Sequence, residues 1–387
     1  MGFKTYTCPI SASCGGCEWL AVPYPIQLRR KREEVERLFA DLLGDGGVEI
    51  HGMDEPTGYR HKAATPFAPG THGRIRSGFY AKGTHRIVPC ASCLVEDPRC
   101  RKVLNAVARA AEEEGVSAYE EDHGRGCLRH AIVRAGWSTD ELLLTLVTNG
   151  QALPHTRELV GRIRELSGCV TSVAQNVNQR RTNAMLGPRS TALMGPGVMH
   201  DSLLGVSFEI GPASFYQTNP QQTEVLYRLA IEAAGLTSGM RLLDAYCGIG
   251  TIGLAAAAST EGLEVVGVER GEEAVACARR NAEANGLGSR VRFVCADATG
   301  YMRDARKGRE AFDVVVLDPP RTGSTKAFLE SAVALVPQSI VYVSCNPETQ
   351  RRDVDVLIAG GYRLADLQVV DMFPHTKHAE SVAVLTR

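Results

Sequence analysis

From Arg241 onward, short runs of β-branched residues alternate with helical stretches, and this alternation constrains the fold more than any other feature of the sequence. The strand-like runs are RLLDAY, EVVGVE, VRFVCA, FDVVVLD, SIVYVSC and SVAVLTR. The helical stretches between them include EEAVACARRNAEANG, which ends at Gly286 as expected for a helix C-cap. Strands that are separated by helices form βαβ units, so the pattern predicts an α/β domain with a doubly wound sheet over residues 205–387.

Two further regions precede this domain. The chain has 387 residues, which at about 150 residues per domain allows two or three domains. Residues 56–204 contain the strand-like segments LRHAIVRAG and ELLLTLVT and the short helical segment GRIRELSG, which predict a small α+β domain. Residues 1–55 combine a group of cysteines with the charged helical segment PIQLRRKREEVERLFADLL. We therefore expect an N-terminal cysteine segment, a central domain and a C-terminal domain, divided at these positions.

The charge balance and the N-terminus limit the partners and the compartment. Lys and Arg number 43 and Asp and Glu 44, which leaves a net charge of −1 and no overall positive field to attract nucleic acid. The start MGFKTYTCPI lacks the apolar core of a signal peptide, and no run approaches the roughly 18 apolar residues of a membrane-spanning helix. We expect a cytoplasmic protein without a membrane partner.

Positive charge is local instead. Residues 56–95, here called the basic segment, contain six Lys and Arg residues and no Asp or Glu, and they include Phe67, Phe79 and Tyr80. Basic groups interleaved with aromatic side chains suit the binding of RNA phosphates and bases. Residues 29–32 add four consecutive basic residues, which fit an RNA contact and a solvated helix face equally well.

The segment LLDAYCGIGTIG predicts a strand, a tight loop and a helix, with glycines at 248, 250 and 253. Such a loop lets a cofactor approach the backbone and the free N–H groups of the helix start. Glu269 ends the next predicted strand 21 residues after Gly248, where it can bind ribose hydroxyls. The pattern fits an NAD-type site, an S-adenosylmethionine site or a turn without a ligand. Asp244 favours S-adenosylmethionine, because the charged amino-acid end of that cofactor needs a nearby anion.

Two later strands end in residues that suggest chemistry. The sequence DPPR at 318–321 places the Asp318 carboxylate at the carboxyl edge of the sheet, where it can read the hydrogen-bonding edge of a planar base. Cys345 follows the next strand and is a candidate nucleophile, since the adjacent helix start is expected to lower its pKa. The alternative for Cys345 is a small core residue. Glu380 begins the last strand and is either a general base or a solvated side chain.

The remaining cysteines of this half fit packing better than chemistry. Cys247 lies in the glycine loop, and Cys277 and Cys295 lie within helix and strand patterns. Free cysteines are among the most buried residue types. We expect all three to be packed in the protein interior.

The motifs DPPR, SCNP and FPHTxHxE occur in this order, with FYQTNP at 215–220 upstream of the glycine loop. Together they resemble those of the RNA uracil-C5 methyltransferase family. The resemblance implies a Rossmann-like S-adenosylmethionine-dependent domain, with a mixed sheet whose last strand is antiparallel. It also implies that Cys345 adds to C6 of uracil, that C5 then takes the methyl group, and that Glu380 removes the C5 proton. The cofactor and base pocket would be lined by Gln217, Tyr246, Thr251, Glu269, Asp297 and Asp318.

The N-terminal cysteines follow the spacing Cys8-x5-Cys14-x2-Cys17, with two glycines inside the last pair. This pattern resembles the [4Fe-4S] motif of the iron–sulphur members of the same family. Three thiolates need a fourth ligand, for which HRIVPCASCLVEDP offers Cys90 and Cys93. Register with the family pattern favours Cys93. A structural zinc ion is the alternative, although four-thiolate zinc sites usually come as two CxxC pairs.

The resemblance also bears on the substrate. Some members of the family carry a β-barrel RNA-binding module, called TRAM, before the cysteines, and Cys8 stands too near the start for one. The short iron–sulphur branch is similar to bacterial enzymes that act on a hairpin loop of 23S rRNA, so 23S rRNA is favoured over tRNA. We expect a monomer. Three other functions stay open: amino-group methylation of RNA, an NAD-dependent oxidoreductase and a non-catalytic iron–sulphur RNA-binding protein.

Overall fold

The computed structural model of the protein describes residues 4–44, 47–182 and 184–387. Its helices are α1 (Ser11–Cys14), α2 (Tyr24–Leu38), α3 (Pro98–Glu113), α4 (Thr156–Ser167), α5 (Pro220–Ala233), α6 (Thr251–Ser259), α7 (Glu272–Ala284), α8 (Ala298–Lys307), α9 (Lys326–Ala334) and α10 (Pro347–Ala359). A 3₁₀ turn covers Thr71–Gly73. Among these helices, none combines the length and the hydropathy that crossing a bilayer requires.

The strands divide between two large sheets and one hairpin. They are β1 (Glu49–His51), β2 (Lys62–Pro69), β3 (Ile75–Tyr80), β4 (Ile87–Pro89), β5 (Leu128–Ala135), β6 (Leu142–Thr148), β7 (Ser172–Val177), β8 (Arg189–Met194), β9 (Met199–Leu203), β10 (Val206–Ile210), β11 (Arg241–Ala245), β12 (Glu264–Glu269), β13 (Val291–Cys295), β14 (Val314–Leu317), β15 (Ser339–Ser344), β16 (Arg363–Val370) and β17 (Glu380–Thr386). The hairpin is formed by β9 and β10.

The C-terminal domain is built on an eight-stranded sheet with the order β1-β16-β17-β15-β14-β11-β12-β13. The strands from β15 to β13 are parallel, whereas β17 is antiparallel to both of its neighbours. The predicted α/β architecture and the antiparallel last strand are therefore confirmed. Strand β14 is buried along its whole length because helices cover both faces of the sheet. Val316 and Val341 pack into the core on one face, and Val315 and Ile340 into the core on the other.

The central domain has a seven-stranded sheet with the order β4-β3-β2-β5-β6-β7-β8. Most pairs are antiparallel, but β6 and β7 are parallel because α4 connects them as a crossover. Helices α3 and α4 cover one face of this sheet and share its apolar core. The segments LRHAIVRAG and ELLLTLVT form β5 and β6 as predicted, and GRIRELSG lies in α4.

The N-terminal helix α2 packs on the C-terminal domain rather than on the cysteines. Val35 and Phe39 are fully buried in a core of that domain, and β1 adds a strand to its sheet beside β16. Lys31 is 2% exposed, and its Nζ donates to Asp371 Oδ1 at 2.5 Å. Both interpretations of residues 29–32 are wrong for Lys31, which is neither solvated nor free to contact RNA.

Candidate active site and cysteine cavity

Three strands bring Asp318, Cys345 and Glu380 to one edge of the C-terminal sheet. Asp318 follows the last residue of β14 and Cys345 the last residue of β15, and these strands are parallel neighbours. Strand β17 runs the opposite way, and its Ser381 is paired with Ser344. Glu380 and Cys345 are therefore neighbours across adjacent strands. The charges of Asp318 and Glu380 act directly on the Cys345 thiol.

The Cys345 thiol is protonated in the free protein at neutral pH. Burial, with the charges of Glu380 and Asp318, raises its pKa to about 11, while Arg321 acts in the opposite direction. Asn346 caps α10 by accepting a hydrogen bond from the Glu348 amide. The predicted lowering of the thiol pKa is wrong, because burial is the largest influence on this thiol and raises its pKa.

Glu380 is buried, with 3% of its surface exposed. Burial and the nearby Asp318 charge raise its pKa well above the usual value, and Arg321 opposes the shift. Burial also raises the pKa of Asp318 to about 7. A solvated Glu380, the alternative taken from the sequence, is therefore excluded, and the edge holds two buried carboxyl groups whose pKa values are raised.

The glycine loop is shaped by close approaches of the backbone. Gly250 has φ = +87°, and a Cβ there would lie 2.5 Å from the Phe293 ring. The Gly253 amide donates to Asp244 Oδ2 at 2.9 Å, so that the carboxyl group ties the helix start to β11. Burial raises the pKa of Asp244 to about 7. Tyr246 has φ = 65°, an uncommon conformation for a residue other than glycine.

A small cavity of about 20 Å³ lies between this loop and Asp318. Its lining includes Tyr246, Thr251 and Asp318, three of the residues that the resemblance assigns to the cofactor and base pocket. Glu269 and Asp297 lie nearby, since their charges raise the pKa values of Asp244 and Tyr246 respectively. Gln217 is half-buried and does not line this cavity.

Three further residues at the site were missed by the sequence analysis. Tyr227 is buried and its hydroxyl lies 3.1 Å from Thr251 Oγ1, and Phe215 lines the same cavity with 67% of its surface exposed. Arg321 is the cation that faces both Cys345 and Glu380. Arg321 and Phe215 stand inside the quoted DPPR and FYQTNP motifs, which marked them without indicating a role. Tyr227 lies in the middle of α5, where the sequence contains no motif that would indicate a functional residue.

Cys345 also opens to a cleft of about 730 Å³. One wall is α2 with Trp19, and the other is formed by Arg321, the start of α10 and residues 377–379. Arg30, whose guanidinium lies 5.7 Å from the Trp19 ring centre, lines the cleft. The cleft has room for a nucleotide and gives it a path to the thiol.

Four N-terminal and central cysteines share a second small cavity, also of about 20 Å³. It is lined by Cys8, Cys14, Cys17 and Cys93, together with Gly16 and Phe79. Burial and the charges of the other three cysteines raise the pKa of Cys17 to about 12. Cys90 lies outside this lining, and its thiol donates to the Ser92 carbonyl at 3.2 Å. Over the described ranges, no three or more His, Cys, Asp or Glu side chains are arranged to hold a metal ion.

One packing expectation, for Cys295, and one RNA contact, for Phe67, need correction. Cys247 and Cys277 are buried as predicted, but Cys295 at the end of β13 is exposed, because that strand forms the edge of the sheet. In the basic segment Phe67 is 3% exposed and belongs to the central core, so it cannot stack on RNA. Tyr80 is exposed, as are Arg74, Arg76, Lys82 and Arg86.

Comparisons with known proteins place these features in context. A family model described as tRNA (uracil-5-)-methyltransferase matches residues 205–387. An uncharacterized RNA methyltransferase of Halalkalibacterium halodurans is 41% identical over 381 residues, which cover 98% of this chain and 82% of the relative. One from Bacillus cereus is 38% identical over 387 residues, covering 99% and 83%. The crystal structure of Pyrococcus abyssi tRNA (uracil-54, C5)-methyltransferase in complex with S-adenosyl-L-homocysteine is 30% identical, with a TM-score of 0.78, and the match covers 96% of this chain and 86% of that one.

Proposed function

The chain belongs to the RNA uracil-5-methyltransferase family, whose activity is S-adenosylmethionine-dependent methylation of RNA, and we propose that it works through a covalent adduct between Cys345 and uracil. The observation that carries this proposal is the convergence of Cys345, Glu380 and Asp318 at one sheet edge. An NAD-dependent oxidoreductase has no use for this set. Amino-group methylation does not need a thiol or a buried base beside it.

The chemistry explains why a nucleophile is needed. C5 of uracil is a poor nucleophile at neutral pH, so a direct attack on a methyl donor is slow. The Cys345 thiol gives its proton to solvent and its sulphur forms a bond to C6, so that the electron pair of the C5–C6 double bond moves onto C5. C5 takes the methyl group of S-adenosylmethionine, which leaves as S-adenosylhomocysteine. Glu380 in its ionised form then removes the remaining C5 proton, and the C5–C6 double bond re-forms as the bond to sulphur breaks.

The charges at the edge support these roles. Because the pKa of Cys345 is about 11, a thiolate forms only when a base or a cation assists, and Arg321 is the cation that lowers this pKa. Glu380 has a raised pKa, which favours holding the proton that it receives from C5. We assign to Asp318, which lines the small cavity, the hydrogen bonds to the edge of the uracil ring.

The residues around the glycine loop fit S-adenosylmethionine, which supplies the methyl group. The buried Asp244 provides a carboxyl group beside the loop that can ionise when the charged amino-acid end of the cofactor binds. Tyr246 and Thr251 line the adjacent cavity. Glu269 stands at the end of β12 and Asp297 caps α8, so we assign the first to the ribose and the second to the adenine. Gln217 would join the site by a movement of its loop.

We further propose that Cys8, Cys14, Cys17 and Cys93 hold a [4Fe-4S] cluster. These four side chains line one cavity that Cys90 does not line, although Cys93 and Cys14 are near enough for their charges to act on the Cys90 thiol. Each cysteine of such a cluster binds a different iron, so the thiols need not converge on a point. A mononuclear zinc site needs that convergence, and the described residues do not show it. The methyl transfer requires no electron from a cluster, so we assign it a role in structure or RNA positioning.

The mutation of single cysteines tests the cluster. Protein purified anaerobically with Cys93→Ser should lose the broad absorbance near roughly 400 nm that such clusters give, while Cys90→Ser keeps it. The reverse result would assign the fourth ligand to Cys90. A stoichiometric zinc content without iron in the unmutated protein would replace the cluster by a zinc ion.

The finer substrate assignment is 23S rRNA, supported by the cysteine spacing described above. The relative from Pyrococcus abyssi is a tRNA methyltransferase, so tRNA is the competing substrate. We propose a functional division into the cysteine segment 1–55, the RNA-binding domain 56–204 and the catalytic domain 205–387, acting as a monomer. The division concerns function, since β1 of the first segment pairs with the catalytic sheet.

Tritium release from RNA labelled at uracil C5 tests both the chemistry and the substrate. 23S rRNA and tRNA from cells that lack the activity are supplied separately, with S-adenosylmethionine. We expect release from 23S rRNA and none with Cys345→Ala, which should still bind the cofactor. Release from tRNA alone would keep the mechanism and change the substrate. No release from either RNA would contradict the uracil-C5 reaction.

A further inference from the structure

Three basic side chains meet where the central domain contacts the C-terminal domain. Lys62 of β2 is paired across the sheet with Arg134 of β5, and Arg60 stands two residues before Lys62. The charges of Arg60 and Arg134 act directly on Lys62. We call Arg60, Lys62 and Arg134 the cationic triad.

The cationic triad lacks the partners that buried cations normally have. Arg134 is 5% exposed, and its Nη2 donates to the Ser214 carbonyl while its Nε is buried without a partner. The Nε of Arg60 and the Oγ1 of Thr218 are also buried without partners. Within the described part of the chain, no carboxylate acts on Lys62 or Arg134. Burial and repulsion lower the pKa of Lys62 to about 8, and burial lowers that of Arg134 to about 10.

Other buried cations of the same protein are neutralised. Arg101 is 3% exposed and donates from two nitrogens to Glu96, each at 2.8 Å. Lys31 is paired with Asp371 in the same way. Desolvated charges without a counter-ion are costly, so the pair Lys62 and Arg134, with Arg60 beside them, indicates an anion from outside the chain.

The cationic triad borders the catalytic centre. Ser214 and Thr218 lie on either side of Phe215, which lines the small cavity together with Asp318. The guanidinium of Arg60 lies 5.9 Å from the centre of the Phe373 ring, and Phe373 lies in the loop between β16 and Glu380. An anion held by the cationic triad would lie beside the place where the target base reacts.

We propose that the cationic triad binds one phosphate of the RNA backbone, next to the uridine that enters the catalytic centre. This inference rests on the proposed action on RNA. A phosphate accepts paired hydrogen bonds from a guanidinium and a point-charge contact from an ammonium group. A uridine that is flipped out of a folded RNA must also turn its backbone, and a phosphate held at this depth fixes the backbone in the turned position. Weaker contacts with RNA, which are screened by salt, would come from the exposed basic residues Arg74, Arg76, Lys82 and Arg86.

The substitution Lys62→Met tests this site because it removes one charge and keeps a similar side-chain length. RNA binding is measured with a hairpin fragment of 23S rRNA and with tRNA, in a Cys345→Ala background, over a range of salt concentrations. For whichever of the two RNAs the unmutated protein binds, we expect the affinity to fall about tenfold. The slope of log affinity against log salt concentration should decrease by the amount that corresponds to about one phosphate contact. Lys62→Arg should retain most of the affinity. Lys326→Met, on the exposed surface of α9, is the matched control.

Stability provides a readout that a merely structural lysine would not give. Without RNA, Lys62→Met removes repulsion from Arg60 and Arg134, so its melting temperature should rise by about 2 °C. A lower melting temperature would show that Lys62 stabilises the fold. An unchanged RNA affinity, or an equal loss in Lys326→Met, would overturn the proposal.

A second source of the anion is the carboxylate of S-adenosylmethionine. Its affinity is measured by titration with the same variants, and we expect no change. A loss of cofactor affinity with RNA affinity preserved would assign the cationic triad to the cofactor and overturn the proposal. Because Cys345 takes no part in these binding measurements, failure of the covalent mechanism would appear as absent tritium release with these results intact.

Discussion

Two regions of this protein that bury ionisable groups differ in whether these groups are paired with an opposite charge. At the junction between α2 and the C-terminal domain, Asp371 accepts hydrogen bonds from Lys31 and from the Tyr24 hydroxyl. At the catalytic edge, Asp318 and Glu380 are desolvated and their pKa values are raised. A fully paired buried charge serves the fold, whereas an unpaired one stays available to a substrate.

The junction also explains how the N-terminal segment is linked to Glu380, the proposed base. His375 has φ = 66°, and its backbone amide donates to Gln27 Oε1 at 2.8 Å. Its carbonyl accepts from the Trp19 amide, two residues after Cys17. The loop that leads to Glu380 is thus held by the segment that carries the cysteines. The junction with the paired charges therefore helps to hold the loop that leads to the unpaired Glu380.

The largest effect should come from Glu380→Gln, which changes the unpaired region. We expect the release of C5 tritium to slow by about 10²–10⁴-fold, because the base that removes the C5 proton is lost. The covalent RNA–protein adduct should accumulate and resist denaturation in a gel. The free energy of unfolding should be unchanged or higher, since a buried group that can ionise is replaced by one that cannot.

A fall in stability without accumulation of the adduct would mean that Glu380 belongs with the structural charges of the junction. Glu380→Asp serves as the matched variant, because it keeps the acid and shortens the side chain. We expect it to retain part of the release activity.

The next effect concerns the paired region. Asp371→Asn leaves the buried Lys31 without a carboxylate, so we expect the free energy of unfolding to fall by about 3–5 kcal/mol. Denaturant unfolding followed by circular dichroism measures this change. The control is Asp304→Asn, which breaks the exposed pair with Lys307 and should change the value by no more than about 1 kcal/mol. Similar small values for both variants would show that the junction pair contributes little.

The contrast between the two regions was only partly visible in the sequence. The parallel sheet, the antiparallel β17 and the positions of Cys345 and Glu380 at strand ends follow from local patterns and from the family motifs. The burial of Lys31 does not follow from the sequence, because its partner Asp371 lies 340 residues away along the chain. Four consecutive basic residues look alike in a sequence, although one of them turns inward.

Burial and electrostatic interactions between distant residues were the other features that could not be predicted from the sequence. The sequence places Cys345 at a helix start but does not show the carboxyl groups across the sheet that raise its pKa. It counts Lys62 as one of six basic residues, although its half-buried position beside Arg134 sets it apart. The exposure of Cys295 depends on β13 being the edge strand, which is decided by the sheet order.

The smallest effect concerns the pH dependence of stability at the cofactor end of the unpaired region. Burial raises the pKa of Asp244 from 3.8 to about 7, so the folded protein binds the proton more tightly than the unfolded chain does. The contribution of Asp244 to stability is therefore fully present below about pH 4 and is lost as the pH rises through about 7. Asp244→Asn cannot ionise, and its amide oxygen can still accept from Gly253. We expect the loss of free energy of unfolding between about pH 5 and about pH 8 to be smaller in this variant, by on the order of 1–2 kcal/mol.

Denaturant unfolding at the two pH values measures this difference, with Asp304→Asn as the exposed control. Addition of S-adenosylmethionine should reduce the pH dependence of the unmutated protein, because its ammonium group stabilises the ionised Asp244. An identical pH dependence in Asp244→Asn and in the unmutated protein would show that Asp244 is ionised without a cofactor. Asp244 would then differ from Asp318 and Glu380 in its protonation state. Only Asp318 and Glu380 would contrast with the paired charges of the junction.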